Sequence, residues 1–304
     1  MEELAGVFVI NKEAGWTSFD VVAKMRGICH MKKIGHTGTL DPMATGVLPV
    51  CVGKATKVVS MLADDIKTYR AGMRLGYESD TQDATGKLRQ TAAEETAASV
   101  DIGQLREAAA SFVGGYDQIP PMYSAKHHGG KRLYELAREG RQVEREPVPV
   151  KIDTIEVESC KDAEAVITVT CGKGTYIRTL IEDIGRKTGC GALMTSLCRT
   201  RVGRFGLDEA MTVSQLQALA DESRLAEAIL PVDRLFEEYP AVTVEGDLER
   251  MAVNGNPLPG KSIQLCPDTD AEDTHTVRIY ASEDRFIGLF RRQQDGSYRP
   301  DKMF

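Results

Sequence analysis

The chain has 304 residues, 42% hydrophobic and 27% charged, with a net charge of −7. That length suggests about two domains, the composition is that of a soluble globular protein with a sizeable core, and no run approaches the ~18 apolar residues of a membrane span. The acidic start "MEELAGVFVINK" lacks the bases of a secretory signal, and seven scattered cysteines without a C-x-x-C pair point to free thiols in a reducing cytoplasm, not to a disulfide framework or zinc site.

In chain order, "GVFVINK" reads as a strand. "TSFDVVAKMRGICH" reads as a helix capped by Thr17 or Ser18, with Phe19, Val22 and Met25 on one face. The loop "GHTGTLDPMATG" follows, rich in Gly and Thr around Asp41, and runs into the buried-looking strand "VLPVCVG". The loop alone leaves two readings open. Asp41 is either a site residue on a scaffolded loop or the start of an Asp-Pro turn. "TKVVSMLADDIK" is a short helix, and "TYRAGMRLGYES" a half-buried strand with Tyr69, Ala71, Met73 and Leu75 on one side and Arg70 and Arg74 on the other.

"DIGQLREAAASFVGGY" is a helix closed by Gly114 and Gly115. Residues 117–149 form an excursion opened by Pro120-Pro121, holding Gly129-Gly130 and a short charged helix, Lys131 to Arg138. "KIDTIEVESC" and "EAVITVTCG" are strands paired antiparallel. "GTYIRTLIEDIGRKTG" is a helix with Ile177, Leu180, Ile181 and Ile184 at helical spacing, and "ALMTSLCRTRVGRF" returns to strand. From about Pro240 short strands come at close intervals: "AVTVE", "SIQLC", "HTVRIYA" and "FIGLFRRQ". Helices mixed irregularly with strands predict an α+β fold with a mixed, mainly antiparallel sheet flanked by helices, plus a small C-terminal all-β domain. The expected boundaries are 1–239 and 240–304.

Charge is uneven. From Val21 to Lys57 stand Lys24, Arg26, Lys32, Lys33, Lys54 and Lys57 against Asp41 alone. Acids gather in 208–249 and 268–284. Local positive charge, not a basic whole, makes a phosphate-binding surface; read alone, such a cluster is more often a solvated face. There is no Walker loop, and Gly172–Thr175 is too short to replace one. His36 has no H-x-x-H partner, and His127-His128 are adjacent residues that point apart in a strand.

The loop at Asp41 resembles the central motif of the TruB family of tRNA pseudouridine synthases, close to G-H-x-G-x-L-D-P-x-A-x-G-x-L-P, with every fixed position filled. "INKEAGWTSFDVV", "KTYRAGMRLG", "PPMYSAKHHGGKRLYELAREG", "CGKGTYIRTLIEDIG" and "LCRTRVGRF" resemble further family motifs in family order, and the tail resembles its PUA domain. Glu13 and Thr200 depart from the pattern at positions the family does not use for chemistry.

The resemblance implies the pseudouridine synthase fold and isomerisation of the T-loop uridine at position 55 of tRNA, without a metal or other cofactor. It implies Asp41 as nucleophile, Arg178 as the arginine that keeps it ionised, and Tyr69 as a stacking platform for the base and a proton acceptor. Tyr176 and Leu197 become pocket walls, and His36 helps extrude the nucleotide. Lys57, Lys126, Lys131 and Arg132 become phosphate contacts. The excursion at 117–149 matches the family's thumb, which implies a cytoplasmic enzyme acting on the tRNA T-arm with no membrane, guide RNA or protein partner. The competing class is a non-catalytic RNA-binding or tRNA-folding protein. It uses the same basic clusters and gives no reason for Asp41, Tyr69 and Arg178 to occur together.

Overall fold

The structure, a computed structural model, describes residues 4–263 and 275–304. Its centre is a nine-stranded sheet. The main path runs Ile152–Lys161, Glu164–Cys171, Lys67–Leu75, Ala192–Val202, Thr45–Val52, Gly6–Lys12, Leu230–Pro231, with Ile34–His36 paired to Thr45–Val52 and Phe205–Gly206 to Ala192–Val202. Neighbours are antiparallel except where Cys198 and Arg199 meet Thr45 and Gly46 in parallel. The mixed, mainly antiparallel sheet expected from the sequence is the one observed.

Strand Thr45–Val52 is buried on both faces, which explains its unbroken apolar run. Leu48, Val50 and Val52 join Phe8 and Ile10 beneath helix Ser18–Ile28 and helix Val213–Asp221. Val47 and Cys51 face the opposite way, against Phe205, Val232 and Phe236. Further along the sheet, Tyr69, Ala71, Met73 and Leu75 pack with Leu105, Leu180, Ile181 and Ile184 from helices Ile102–Ala110 and Ile177–Thr188.

The first helix starts where expected. Thr17 accepts from the Asp20 amide and the Asp20 carboxylate accepts from the Thr17 amide, closing a capping box. Its buried face is Ser18, Val21, Val22, Met25 and Ile28, whereas Phe19 is 68% exposed. The expected stripe through Phe19 is therefore displaced: at 100° per residue Phe19 lies well off the centre of that face. The helix of the excursion is Leu133–Arg138, shorter than expected, because Lys131 and Arg132 pair with His127 and His128 across Gly129-Gly130.

The C-terminal region builds a four-stranded sheet from Ala241–Thr243, Thr276–Tyr280, Phe286–Arg292 and Tyr298–Met303 around its own core. It also carries the helix Gly246–Val253, which the sequence reading as all-β did not contain. Of the expected strand "SIQLC", Ser262 closes a 3-10 turn, Ile263 is irregular, and the rest lies outside the described residues. Phe304 stacks on Phe286 and sits 6.2 Å from Phe236, so the chain's last residue joins this region to the main sheet.

Gly46 has a φ of +103°, and a Cβ there would overlap the Arg199 carbonyl in the neighbouring strand. Gly46→Ala is expected to cost at least ~2 kcal/mol. At ~2–4 °C per kcal/mol the melting temperature should fall by several degrees in a thermal scan; an unchanged value would show that the two strands can separate there without penalty.

Candidate active site

Strands Ile34–His36 and Thr45–Val52 form an antiparallel pair with His36 opposite Val50, and the loop of interest is what lies between them. Asp41 opens a tight turn: its carbonyl accepts from the Ala44 amide at 3.0 Å, with Pro42 as the next residue. The turn reading therefore holds for the backbone, and it leaves the side chain available to a site. The carboxylate meets Arg178, whose Nε is 2.8 Å from Oδ2 and whose Nη2 donates to Oδ1 at 3.3 Å. This two-pronged contact is the geometry in which guanidinium and carboxylate pair best.

Arg178 sits at the start of helix Ile177–Thr188 and is buried. Its remaining donors reach the Thr81 carbonyl at 2.9 Å and the Tyr123 carbonyl at 3.0 Å, and Asp83 Oδ2 lies 3.9 Å away. Asp83 is itself buried and accepts from the Thr85 amide at 2.9 Å. One arginine thus joins the loop, the segment after strand Lys67–Leu75, and the root of the excursion.

The loop is pinned by buried groups at alternate carbonyls. Lys12, fully buried at the end of its strand, donates to the carbonyls of Glu13, Pro42 and Ala44 at 3.0, 3.3 and 2.6 Å. Ser18 Oγ accepts from the Leu40 amide at 2.9 Å and donates to its carbonyl at 3.3 Å. Arg199, also buried, donates to the Gly38 carbonyl at 3.1 Å and the Val47 carbonyl at 2.7 Å. Hydrogen bonds from charged donors are worth roughly 1.5–3 kcal/mol each, so the loop is held rigidly.

These charges set the site's electrostatics. Burial pulls the Asp41 pKa up from its ordinary value, the neighbouring Asp83 adds to this, and Arg178 and Lys12 oppose it. Its side chain keeps 35% exposure, so it faces an opening. Burial draws Lys12 down to about 8, with Asp41 opposing. His36 is lowered by burial and by Arg199, and its Nδ1 accepts from the Gly38 amide at 3.2 Å. A neutral imidazole bonded this way carries its proton on Nε2. Tyr69 is raised, chiefly by burial with Arg199 opposing, so its ring wall is a neutral phenol.

The structure brings Asp41 and Arg178 into contact, and packs Tyr69 and Leu197 into one cluster with Leu40 and Ala44 of the loop. Tyr176 is half-buried; Gln118 clamps its peptide, accepting from its amide at 2.8 Å and donating to its carbonyl at 3.1 Å. The expected phosphate contacts lie elsewhere. Lys57 donates to the Met303 carbonyl at 2.7 Å. Lys131 pairs with Glu139 at 2.8 Å, Arg132 lies 6.0 Å from the Tyr134 ring centre, and Lys126 is exposed on the excursion. A cleft of about 550 Å³ lined by Tyr116, Ile119, Arg145, Glu182, Asp183 and Arg186 lies behind the helix of Arg178, with neither Asp41 nor Tyr69 in its wall.

Sequence reasoning gave no role to Lys12, Asp83, Gln118 or Arg199, and offered Ser18 only as a helix cap, which Thr17 supplies instead. Lys12 carried a signal, a charge closing a strand that otherwise reads as largely apolar; Arg199 stands among the polar residues of "TSLCRTR" and carried none. Asp83, in "DTQDATG", and Gln118 look like ordinary turn and strand-end residues.

Residues 26–177 match the TruB family pseudouridylate synthase N-terminal domain, and residues 178–237 the tRNA pseudouridylate synthase B C-terminal domain. The chain is 41% identical over 300 residues to a tRNA pseudouridine synthase B of Burkholderia pseudomallei strain 668, covering 99% of this chain and 97% of that one. It is 38% identical over 299 residues to the protein so named from Dehalococcoides mccartyi, covering 98% and 96%. Among solved structures, a Cbf5–Nop10–Gar1 complex is similar with a TM-score of 0.69 at 27% identity, over 98% of this chain and 84% of that one. An H/ACA RNP bound to a substrate RNA containing 2′-deoxyuridine is similar with a TM-score of 0.70 at 26% identity, over the same shares.

Titrating the Asp41 carboxyl by carbon-13 NMR tests the electrostatics. It should titrate above a free aspartate. Arg178→Gln should move it higher still, and Arg178→Lys, which keeps the charge but loses the fork, should fall between. A midpoint unmoved in Arg178→Gln, with the fold intact by circular dichroism, would show that Arg178 does not set the ionisation of Asp41.

Proposed function

The chain belongs to the TruB family of pseudouridylate synthases, and on that premise we propose that it isomerises uridine 55 in the T-loop of tRNA, with Asp41 as the nucleophile. Its activity is pseudouridine synthesis in tRNA, an isomerase reaction. The bond from N1 to C1′ breaks, the uracil turns over, and C5 bonds to C1′; the hydrogen on C5 leaves to water and N1 gains one, so the mass is unchanged. A carboxylate nucleophile holds one half through the turn, by attack at C1′ or at C6.

The observation that carries this reading is the two-pronged Arg178–Asp41 pair, with the Asp41 side chain still 35% exposed and Tyr69 and Leu197 clustered against its loop. Arg178 favours the ionised, attacking form that burial disfavours. Tyr69 supplies a flat neutral wall for the extruded base and Leu197 a second wall; Tyr176 lines the entrance. A neutral His36, donating from Nε2, takes part in displacing the nucleotide, at a cost of a few kcal/mol offset by contacts in the cleft. In this reading residues 1–239 are the catalytic domain and 117–149 its thumb, gripping the T-arm with Lys126, Lys131 and Arg132. Residues 240–304 are a PUA-like RNA-binding domain, and Lys57 exchanges the Met303 carbonyl for a phosphate. The enzyme works on tRNA in the cytoplasm, without guide RNA, protein partner or metal. Among the described residues no helix is long and apolar enough to cross a membrane.

The test is label release. tRNA tritiated at C5 of uracil should release one equivalent per molecule, and tRNA with cytidine at position 55 should release none above background. Chelator should leave the rate unchanged once the tRNA is folded. Equal release from both substrates would overturn the site assignment, and no release from either would overturn the activity.

A further inference from the structure

The outer face of the first helix is not used by the site above, and its chemistry is specific. Phe19 is 68% exposed, although it adjoins Ser18, which is bonded to Leu40 of the catalytic loop. Ala23, one turn on, is small and exposed, and the Arg26 guanidinium lies 6.0 Å from the Phe19 ring centre. Lys24, Lys32, Lys33 and Lys54 are also exposed. Lys33 and Gly53, the residue before Lys54, are joined by a backbone hydrogen bond at 2.9 Å, so the run is continuous.

Among the described residues none of these five bases makes an ion pair, while exposed arginines elsewhere, such as Arg70, Arg224 and Arg234, are paired with carboxylates. The acid on this helix, Asp20, is engaged in the cap with Thr17. In a chain of net charge −7, a run of bases with no ion pair among the described residues, beginning at an exposed aromatic ring, is electrostatically complementary to a polyanion. An aromatic ring beside a guanidinium is also a stacking platform for a base.

We propose that this face is a second RNA-binding surface, taking a segment of the tRNA outside the T-arm through its phosphates and one base stacked on Phe19. This rests on the tRNA reading above. The placement follows from the fold. Arg178 joins the catalytic loop through Asp41 to the thumb root at Tyr123, and Ser18 joins it through Leu40 to the start of the first helix. Arg26 lies seven residues from Phe19, ~10 Å along the axis at 1.5 Å per residue, so the run leads away from the mouth. A T-arm held between cleft and thumb leaves this face to the rest of the molecule.

The experiment compares full-length tRNA with an isolated T-arm hairpin, by anisotropy over a salt series. Lys24→Ala/Arg26→Ala should weaken tRNA binding about tenfold and flatten its log–log salt slope by about 0.7–0.9 per lost phosphate contact. Phe19→Ala should weaken it about fivefold or more. The advantage of tRNA over hairpin should shrink accordingly. Unchanged tRNA affinity and slope, or a hairpin weakened as much as the tRNA, would overturn the proposal. Label release by the parent protein is scored separately: a parent that binds tRNA through this face but releases no label refutes the catalytic reading and leaves the surface standing.

Discussion

Everything at the site depends on keeping a partly buried carboxylate charged. Burial alone drives Asp41 toward its neutral form, and Arg178 is the group placed to oppose this, at 2.8 Å. Arg178 is itself buried and needs compensation, which comes from two backbone carbonyls and the more distant Asp83. Removing one partner from such an assembly costs ~3–5 kcal/mol, because the charge left behind is desolvated and unpaired. The pair therefore ties together segments far apart in the chain: the loop, the Asp83 turn, the root of the 117–149 excursion and the helix of Arg178.

The second constraint is geometric. A nucleophile misplaced by about an ångström loses much of its rate advantage, and a loop of Gly and Thr has little packing of its own. Here the loop's carbonyls are held by Lys12 and Arg199, buried cations that among the described residues have no carboxylate partner in an ion pair. Their charges face the site as well: Lys12 opposes the burial effect on Asp41, and Arg199 the burial effect on the Tyr69 phenol. Gly46 completes the arrangement by letting the Arg199 strand approach the loop's end.

The legible parts of the sequence were those where periodicity and chemistry agreed. The alternation in "TYRAGMRLG" put Tyr69 on the inner face, and Ile177, Leu180, Ile181 and Ile184 marked the helix that carries Arg178. The motif resemblance then joined Asp41, Tyr69 and Arg178, which no local pattern relates. Phe19 escaped because a spacing of three suits two adjoining stripes of a helix, and which one is buried depends on the sheet beneath it. Asp83 escaped because its pairing with Arg178, and Gln118 because its hydrogen bonds to Tyr176, join groups brought near only by the fold. The helix Gly246–Val253 escaped because its apolar residues, Leu248, Met251 and Ala252, are few and lie between strand-like runs.

The central claim is that Asp41 acts through its charge and not through its turn. Asp41→Asn keeps the side chain's size and the Ala44-to-Asp41 backbone turn while removing the negative charge. With tRNA tritiated at C5 of uracil, the account predicts a folded variant that binds tRNA within a few-fold of the parent and releases essentially no label. Substantial release from the correctly folded variant would contradict it and leave Asp41 a structural residue.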